Sequence, residues 1–459
     1  MVEQIVEGIR RQIAERQLRP GSKLPSIRAF ARTHNISRFT VVEAYDRLVA
    51  LGCVRSRRGA GFFTTAPDAR DAPVERNRDT KRNEAMVWLI RRLLEARDGT
   101  VLAGGPWLPD AWLDEANIRR AIRALAGRPG RFVTDYGDPY GYRPLREHIV
   151  DALLPEIGIA ARPAQILLTT GGSQALDLVS RSLLGAGDVV LVDDPGYYNL
   201  FGNLRLQGVR LVGVPRTADG PDVDALEAMA AEYQPKLFFT QSVLQNPTGT
   251  TMSAHVAYRV LQIAGRHGFR VVEDDTGSDL QAEPATRLAA LDQLDRVIYI
   301  RSFSKTLSGS LRVGFVASDQ RLIDDLADTK MVTCITSSQF TEKVLYHLLT
   351  EGHYRKFVAR LRERIAEARC DVARAFDAMG IEVFTDSDVG MFLWARFPGI
   401  DDSLPLAERA LKSGVMLAPG TVFRPNLEPS PWLRFNVAIC AAPEVRRRVK
   451  RIADAFADA

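Results

Sequence analysis

Ile5, Ile9 and Ile13 recur every four residues, with Val6 one position on, and this spacing predicts a helix with one apolar face. The segment "RPGSKLPS" breaks the pattern. Ser26 is placed to cap a second helix, whose Ile27, Phe30 and Ala31 form its inward stripe. After the turn "NIS", Ser37 can cap a third helix in which Val41, Ala44, Tyr45 and Leu48 point inward, and Gly52 can end it. "CVRSRRGAGFFTT" then reads as strand, turn and strand, with arginines and glycines at its tip. Three helices followed by a basic hairpin predict a winged helix-turn-helix over residues 1–66.

Residues 67–84 lie in "APDARDAPVERNRDTKRNEA", which is charged, proline-containing and almost empty of large apolar side chains. Such a stretch cannot build a core and predicts a flexible linker. A second domain is expected from residue 85 to residue 459. From about residue 98 the period changes. The runs "QILLTT", "DVVLVDD", "VRLVGVP", "KLFFTQ", "RVVEDD" and "RVIYIRS" are continuous and apolar, and helical patterns separate them. Strands of this kind, alternating with helices, predict an α/β domain with a mostly parallel central sheet covered on both faces.

The chain carries 61 Lys+Arg against 56 Asp+Glu, a formal +5. Residues 1–66 hold 12 of the basic and 5 of the acidic residues, so the remainder, with 49 against 51, is near neutral. A basic excess confined to the helix-turn-helix segment points to a polyanion, here double-stranded DNA. Four cysteines without a CxxC pair fit reduced thiols in the cytoplasm, and no apolar run approaches a membrane span or a signal peptide. Arg38, Phe39 and Thr40 open the third helix, where a recognition helix meets base edges, and Ser37 precedes them. Arg28 opens the second helix near a phosphate, while Arg57 and Arg58 tip the wing. The stretch "PGSKLPSIRAFARTHNISRFTVVEAYDRLVALGCVRSRRGAGFF" resembles the GntR family of bacterial transcription regulators. The resemblance implies DNA-contact roles for Arg28, Arg38, Thr40, Arg58 and Gly59; Phe39 departs from the polar residue common at its position.

Ligands of parallel α/β sheets collect at the carboxyl ends of the strands, and polar residues gather there. "TTGGSQAL" puts Gly172, Ser173 and Gln174 at a helix start, either a phosphate seat or only a tight turn. Tyr197 in "DDPGYY" can lie flat on a ring or simply pack. Asn246 precedes a proline in "QNPTG", and Asp274 ends the β-branched run "VVEDD", where a carboxylate needs a cation or hydrogen bonds. Lys305 follows in "RSFSKTLSGSLRVGF" with Ser302, Ser304 and Arg312. A lysine that can form a Schiff base, a phosphate seat, a flat aromatic, a carboxylate and an amide together describe a site for pyridoxal 5′-phosphate. Asp274 would pair with the pyridinium nitrogen, Asn246 with the phenolate oxygen, and Arg312, Ser302 and Ser173 with the phosphate.

Over about residues 98–459 the order of these motifs resembles the fold-type I aminotransferases. With the N-terminal module, the chain is similar to the MocR/GabR-type subfamily of GntR regulators. The resemblance implies that Tyr136 in "YGDPYGYRPLRE" reaches the cofactor phosphate of a partner subunit, hence a head-to-tail homodimer with shared sites. It also implies that Arg434 in "PWLRFNVA" takes an effector carboxylate; read by itself, Arg434 needs an anion that is either ligand or structural. One slot departs. Aminotransferases usually carry a tyrosine two or three residues after the aspartate, and here Thr276 and Gly277 stand there. This argues against efficient transamination but not against aldimine exchange at Lys305. The expected function is therefore a DNA-binding regulator that senses a small amino compound. A working aminotransferase with a DNA-binding domain, and a sensor of pyridoxal phosphate itself, are the alternatives.

Overall fold

The computed structural model describes residues 1–14, 18, 21–57, 60–65, 89–91, 94, 99–127, 134–281, 284–385, 387 and 389–457. The expected linker 67–84 and the wing residues Arg58 and Gly59 lie outside the described residues. The chain divides into two compact units, Met1–Asp79 and Thr80–Ala459.

The first unit holds α1 (Val2–Ala14), α2 (Ile27–Thr33), α3 (Arg38–Ala50), β1 (Val54–Arg57) and β2 (Gly61–Thr64). The caps form as the sequence predicts. Ser26 Oγ accepts from Ala29 N at 3.2 Å and Ser37 Oγ from Thr40 N at 3.0 Å. Each satisfies one of the donors that a helix start leaves without an intrahelical partner. Val41, Ala44, Tyr45 and Leu48 are fully buried against Ile5, Val6, Ile9 and Ala31. Ile13, Ile27 and Phe30 are only partly covered, because a module this small has little interior. The hydroxyl of Tyr45 donates to Pro25 O at 3.0 Å, so the one polar atom of this buried ring is satisfied. The hairpin pairs Val54 with Thr64 and Arg57 with Gly61.

The second unit is built on an eight-stranded sheet. Its strands are β3 (Ile166–Thr169), β4 (Val189–Asp194), β5 (Arg210–Thr217), β6 (Gly220–Pro221), β7 (Leu237–Thr240), β8 (Arg270–Asp274), β9 (Val297–Ser302) and β10 (Gly314–Ala317), in the order β3-β10-β9-β8-β7-β4-β5-β6. All six apolar runs read from the sequence are strands. The pairs β4–β5, β4–β7, β7–β8 and β8–β9 are parallel, while β10 runs antiparallel between β3 and β9. It follows that β3 is parallel to β9, and that β3, β4, β7, β8 and β9 all end on one edge. β3, β7 and β9 are buried throughout, as expected of strands with both faces covered. A smaller antiparallel sheet contains β11 (Glu382–Val383), β12 (Phe392–Arg396), β13 (Ala418–Pro419) and β14 (Trp432–Asn436), in the order β11-β12-β14-β13. It presents Phe392 and Arg434 toward the residues at the strand ends.

Candidate functional site

Lys305 lies just beyond β9 and opens on a cavity of 740 Å³. Asn246, Asp274, Thr276, Tyr197, Ser173, Ser302, Ser304 and Arg312 line the same cavity, so the strand-end motifs read from the sequence converge. Nζ of Lys305 donates to Pro106 O at 2.9 Å. Its pKa is lowered to about 8: burial disfavours the ammonium, the Arg434 cation adds to that effect, and Asp274 opposes it.

Asp274 is buried at the end of β8. Burial raises its carboxyl above the usual range, and hydrogen bonds pull it back. Oδ2 accepts from Gln241 Nε2 at 2.8 Å; Oδ1 accepts from Thr276 N at 3.2 Å and also from the Thr276 hydroxyl. Gln241 also accepts from Asn246 N through its Oε1 at 2.8 Å, so one amide spans both residues. Gln241 is not among the residues the sequence motifs single out. It ends the apolar run "KLFFTQ", and a glutamine at the carboxyl end of a parallel strand was the available signal.

Asn246 Oδ1 accepts from Arg434 Nη1 at 2.8 Å. A guanidinium has donors only, so this bond fixes the amide with Nδ2 as its remaining donor. Arg434 is fully buried on β14, bonds Gly104 O through Nη2 at 2.8 Å, and lies 4.4 Å from the Phe392 ring centroid. Burial lowers its pKa. Its Nε has no hydrogen-bond partner among the described residues.

The helix Gly171–Leu183 starts beside Lys305 and Arg312. Gly171 has φ +75°, and a Cβ there would lie 2.7 Å from Arg312 Nη2. A Cβ on Gly172 would lie 3.2 Å from Thr276 Oγ1. The two glycines therefore open a cradle that side chains would fill. Arg312 Nη2 donates to Thr170 O at 3.2 Å, and Ser302 Oγ to Ser304 Oγ at 3.2 Å. Tyr197 packs against Tyr198 with centroids 5.5 Å apart. Two residues expected at the cavity do not line it: Arg434, wholly buried behind it with Nη1 on Asn246 and Nη2 on Gly104 O, and Gln174. Gln174 accepts from Thr170 N at 2.6 Å and donates to Cys334 Sγ at 2.9 Å. Tyr136, expected to serve a partner's site, is 75% exposed and does not line the cavity. A cation and hydroxyls beside a helix start, a buried carboxylate on the same cavity and a lysine with a lowered pKa fit pyridoxal phosphate.

Residues 110–452 match the family described as aminotransferase class I and II. The chain belongs to this family. Residues 1–64 match the gntR family of bacterial regulatory proteins. The chain is 29% identical to the "probable rhizopine catabolism regulatory protein MocR" of Rhizobium meliloti, over 91% of this chain and 86% of that one. It is 33% identical to the 2-aminoadipate transaminase of Thermus thermophilus, over 80% of this chain and 93% of that one. Among solved structures, α-aminoadipate aminotransferase LysN of Thermus thermophilus, complexed with N-(5′-phosphopyridoxyl)-L-leucine, matches with a TM-score of 0.74 and 29% identity, over 80% of this chain and 95% of that one. The chain is thus a GntR helix-turn-helix joined to a class I/II aminotransferase domain, the MocR arrangement, and members of its larger fold bind pyridoxal phosphate.

On the first unit, Arg28, Arg38, Phe39 and Arg57 are exposed and Thr40 half-buried. Ser37 is held as the helix cap, with its hydroxyl 2.8 Å from that of Thr40. Arg57 lies 5.3 Å from the Phe63 ring centroid. Among the described residues no helix is long and apolar enough to cross a membrane.

Proposed function

We propose that the chain is a pyridoxal-phosphate-dependent transcription regulator that senses a small, carboxylate-bearing amine at Lys305. One observation carries this reading: Lys305, Asp274, Asn246 and Arg312 meet on one cavity, in a chain whose other unit is a GntR-type winged helix. Pyridoxal phosphate, when bound, supplies an aldehyde carbon and an electron-withdrawing ring. Arg312 with the hydroxyls of Ser173, Ser302 and Ser304 would hold the phosphate by charge-assisted hydrogen bonds. Asp274 would hold the proton at the ring nitrogen, Asn246 Nδ2 would donate to the ring oxygen, and Tyr197 would pack on the ring. Lys305 Nζ would be the amine that holds the aldehyde carbon and that an effector amine would displace, and Arg434, whose Nη1 and Nη2 bond Asn246 Oδ1 and Gly104 O, would be the cation for the effector's carboxylate.

Thr276 favours sensing over turnover. It stands where aminotransferases usually carry a tyrosine, and its hydroxyl is bound to Asp274 rather than free to donate to the ring oxygen. The second reading, a working aminotransferase, is favoured by the likeness to the 2-aminoadipate transaminase.

We take residues 1–66, 67–84 and 85–459 as DNA-binding domain, linker and sensing domain of a cytoplasmic homodimer. Tyr136 would serve the partner's phosphate. Its exposure supports this, as does that of Val332 (88%) and Ile335, on either side of the Cys334 that bonds Gln174 at the head of the phosphate helix. A second copy would cover these apolar side chains.

The test is a titration of cofactor-loaded protein with a panel of amino acids and ω-amino acids, read by absorbance, DNA affinity and keto-acid release. An amine that shifts spectrum and DNA affinity without stoichiometric keto acid supports the proposal. Sustained turnover with an amino donor and a keto acid favours the second reading. Borohydride treatment that leaves no pyridoxyl group on Lys305 overturns both.

A further inference from the structure

Phe39 is the second residue of α3 and is 79% exposed. The unit's core is complete without it, since the inward residues of the same helix are wholly buried. The rings the core does use, Phe30, Tyr45 and Phe62, pack edge-on against one another. Val42 is also partly exposed and extends the apolar surface from Phe39 along the helix. A phenyl ring left in water forgoes a large hydrophobic gain and marks a contact surface.

The surroundings say what that contact is. Arg38 is exposed beside Phe39, Arg28 and Arg57 are exposed on the same unit, and residues 1–66 carry the chain's basic excess. Glu43, Asp46 and Arg47 lie one to two turns further along the groove that Phe39 opens, and Arg47 is paired with Glu43 at 3.1 Å and with Glu3 at 3.2 Å. Three carboxylates against one guanidinium leave that end acidic, so the helix approaches a polyanion by its first turn. The Ser37 cap, which accepts from the amide of Thr40 and shares a hydrogen bond with its hydroxyl, holds that turn in place.

We propose that Phe39 reads the 5-methyl group of a thymine in the major groove. The inference rests on the DNA-binding reading above and adds a base preference to it. The thymine methyl is the apolar group presented on the major-groove edges of the bases, and a phenyl ring is a known kind of partner for it. A polar side chain at this position would instead favour a donor or acceptor on a base edge. Phe39 thereby acts as a specificity residue, while Arg38 and Arg57 supply charge.

The test uses the full chain. Duplexes are enriched from a randomised pool, and each thymine of the enriched site is replaced singly by deoxyuridine, which lacks only the methyl. At one thymine per half-site the wild type should lose affinity about fourfold, the worth of one buried methyl. Phe39→Ala should bind more weakly overall and show no loss at that position, and Phe39→Leu should recover part of the methyl effect. A thermal melt unchanged in Phe39→Ala would certify the fold. A uracil effect that persists in Phe39→Ala, or the lack of any methyl-sensitive thymine in an enriched site, overturns the proposal and leaves DNA binding standing. A changed oligomeric state in Phe39→Ala with a flat uracil series would assign the ring to protein contact and equally overturn it. If no sequence is enriched, sequence-specific DNA binding itself fails, and the proposal fails with it.

Discussion

Gln241 Nε2 donates to Asp274 Oδ2 at 2.8 Å, and the other end of the same amide accepts from Asn246 N at 2.8 Å. The carboxylate proposed for a ring nitrogen and the amide proposed for a ring oxygen are thus set relative to each other by a third side chain. Gln241 is anchored in turn: its N donates to Asp193 Oδ2 at 3.2 Å and its O accepts from Arg216 Nη2 at 2.9 Å. Arg216 and Asp193 form a buried ion pair at 2.8 Å.

Gln241→Leu should therefore weaken pyridoxal phosphate binding on the order of tenfold or more, because a bond to a buried charge is lost. The thermal melt should fall by the equivalent of about 1–3 kcal/mol, the cost of leaving buried partners unmet. Gln241→Glu, which keeps the acceptor for Asn246 N but faces Asp274 with a second carboxylate, should lose more affinity than it loses stability. Absorbance titration with the cofactor, beside calorimetry of the apo protein, checks both.

Gly171→Ala should damage the phosphate cradle. A non-glycine residue at φ +75° costs about 1–2 kcal/mol, and its Cβ would push against the Arg312 guanidinium. The expected outcome is a raised Kd for pyridoxal phosphate and for inorganic phosphate, with the helix Gly171–Leu183 intact by hydrogen exchange.

Lys305 carries the pH dependence. Only the neutral amine attacks an aldehyde, and burial brings its pKa down to about 8. The rate at which apo protein captures pyridoxal phosphate should rise with pH and reach half its maximum near pH 8. A stopped-flow pH series checks this; a midpoint near the usual lysine value would mean that the site does not desolvate the amine.

Arg57→Ala should lower DNA affinity about equally on all duplexes. It should also reduce the slope of log affinity against log salt by about one, as expected for a single phosphate contact. Fluorescence anisotropy over a salt series measures the slope.

The winged unit was legible almost residue by residue, because capping and helical periodicity are local signals: Ser26, Ser37 and the α3 stripe follow from spacings of four residues or fewer. The six core strands were legible for the same reason. β10 was not, since nothing in "GFVA" says that it enters antiparallel between β3 and β9. The site was legible as a set of residue types at strand ends, but not as a network. The bond from Arg434 to Asn246 joins positions 188 apart. The amide of Gln241 looks from the sequence like the tail of an apolar strand. Gln174 shows the converse, a polar residue in the expected place whose amide the helix start and Cys334 have already engaged.

The most direct test is the DNA affinity of cofactor-loaded wild type and of Lys305→Ala, measured with and without the amine that shifts the wild-type spectrum. A coupling of about 1–3 kcal/mol would change wild-type affinity roughly 5- to 150-fold. The account predicts such a change in the wild type and none in Lys305→Ala, which should still bind DNA. An equal response in both proteins would contradict it.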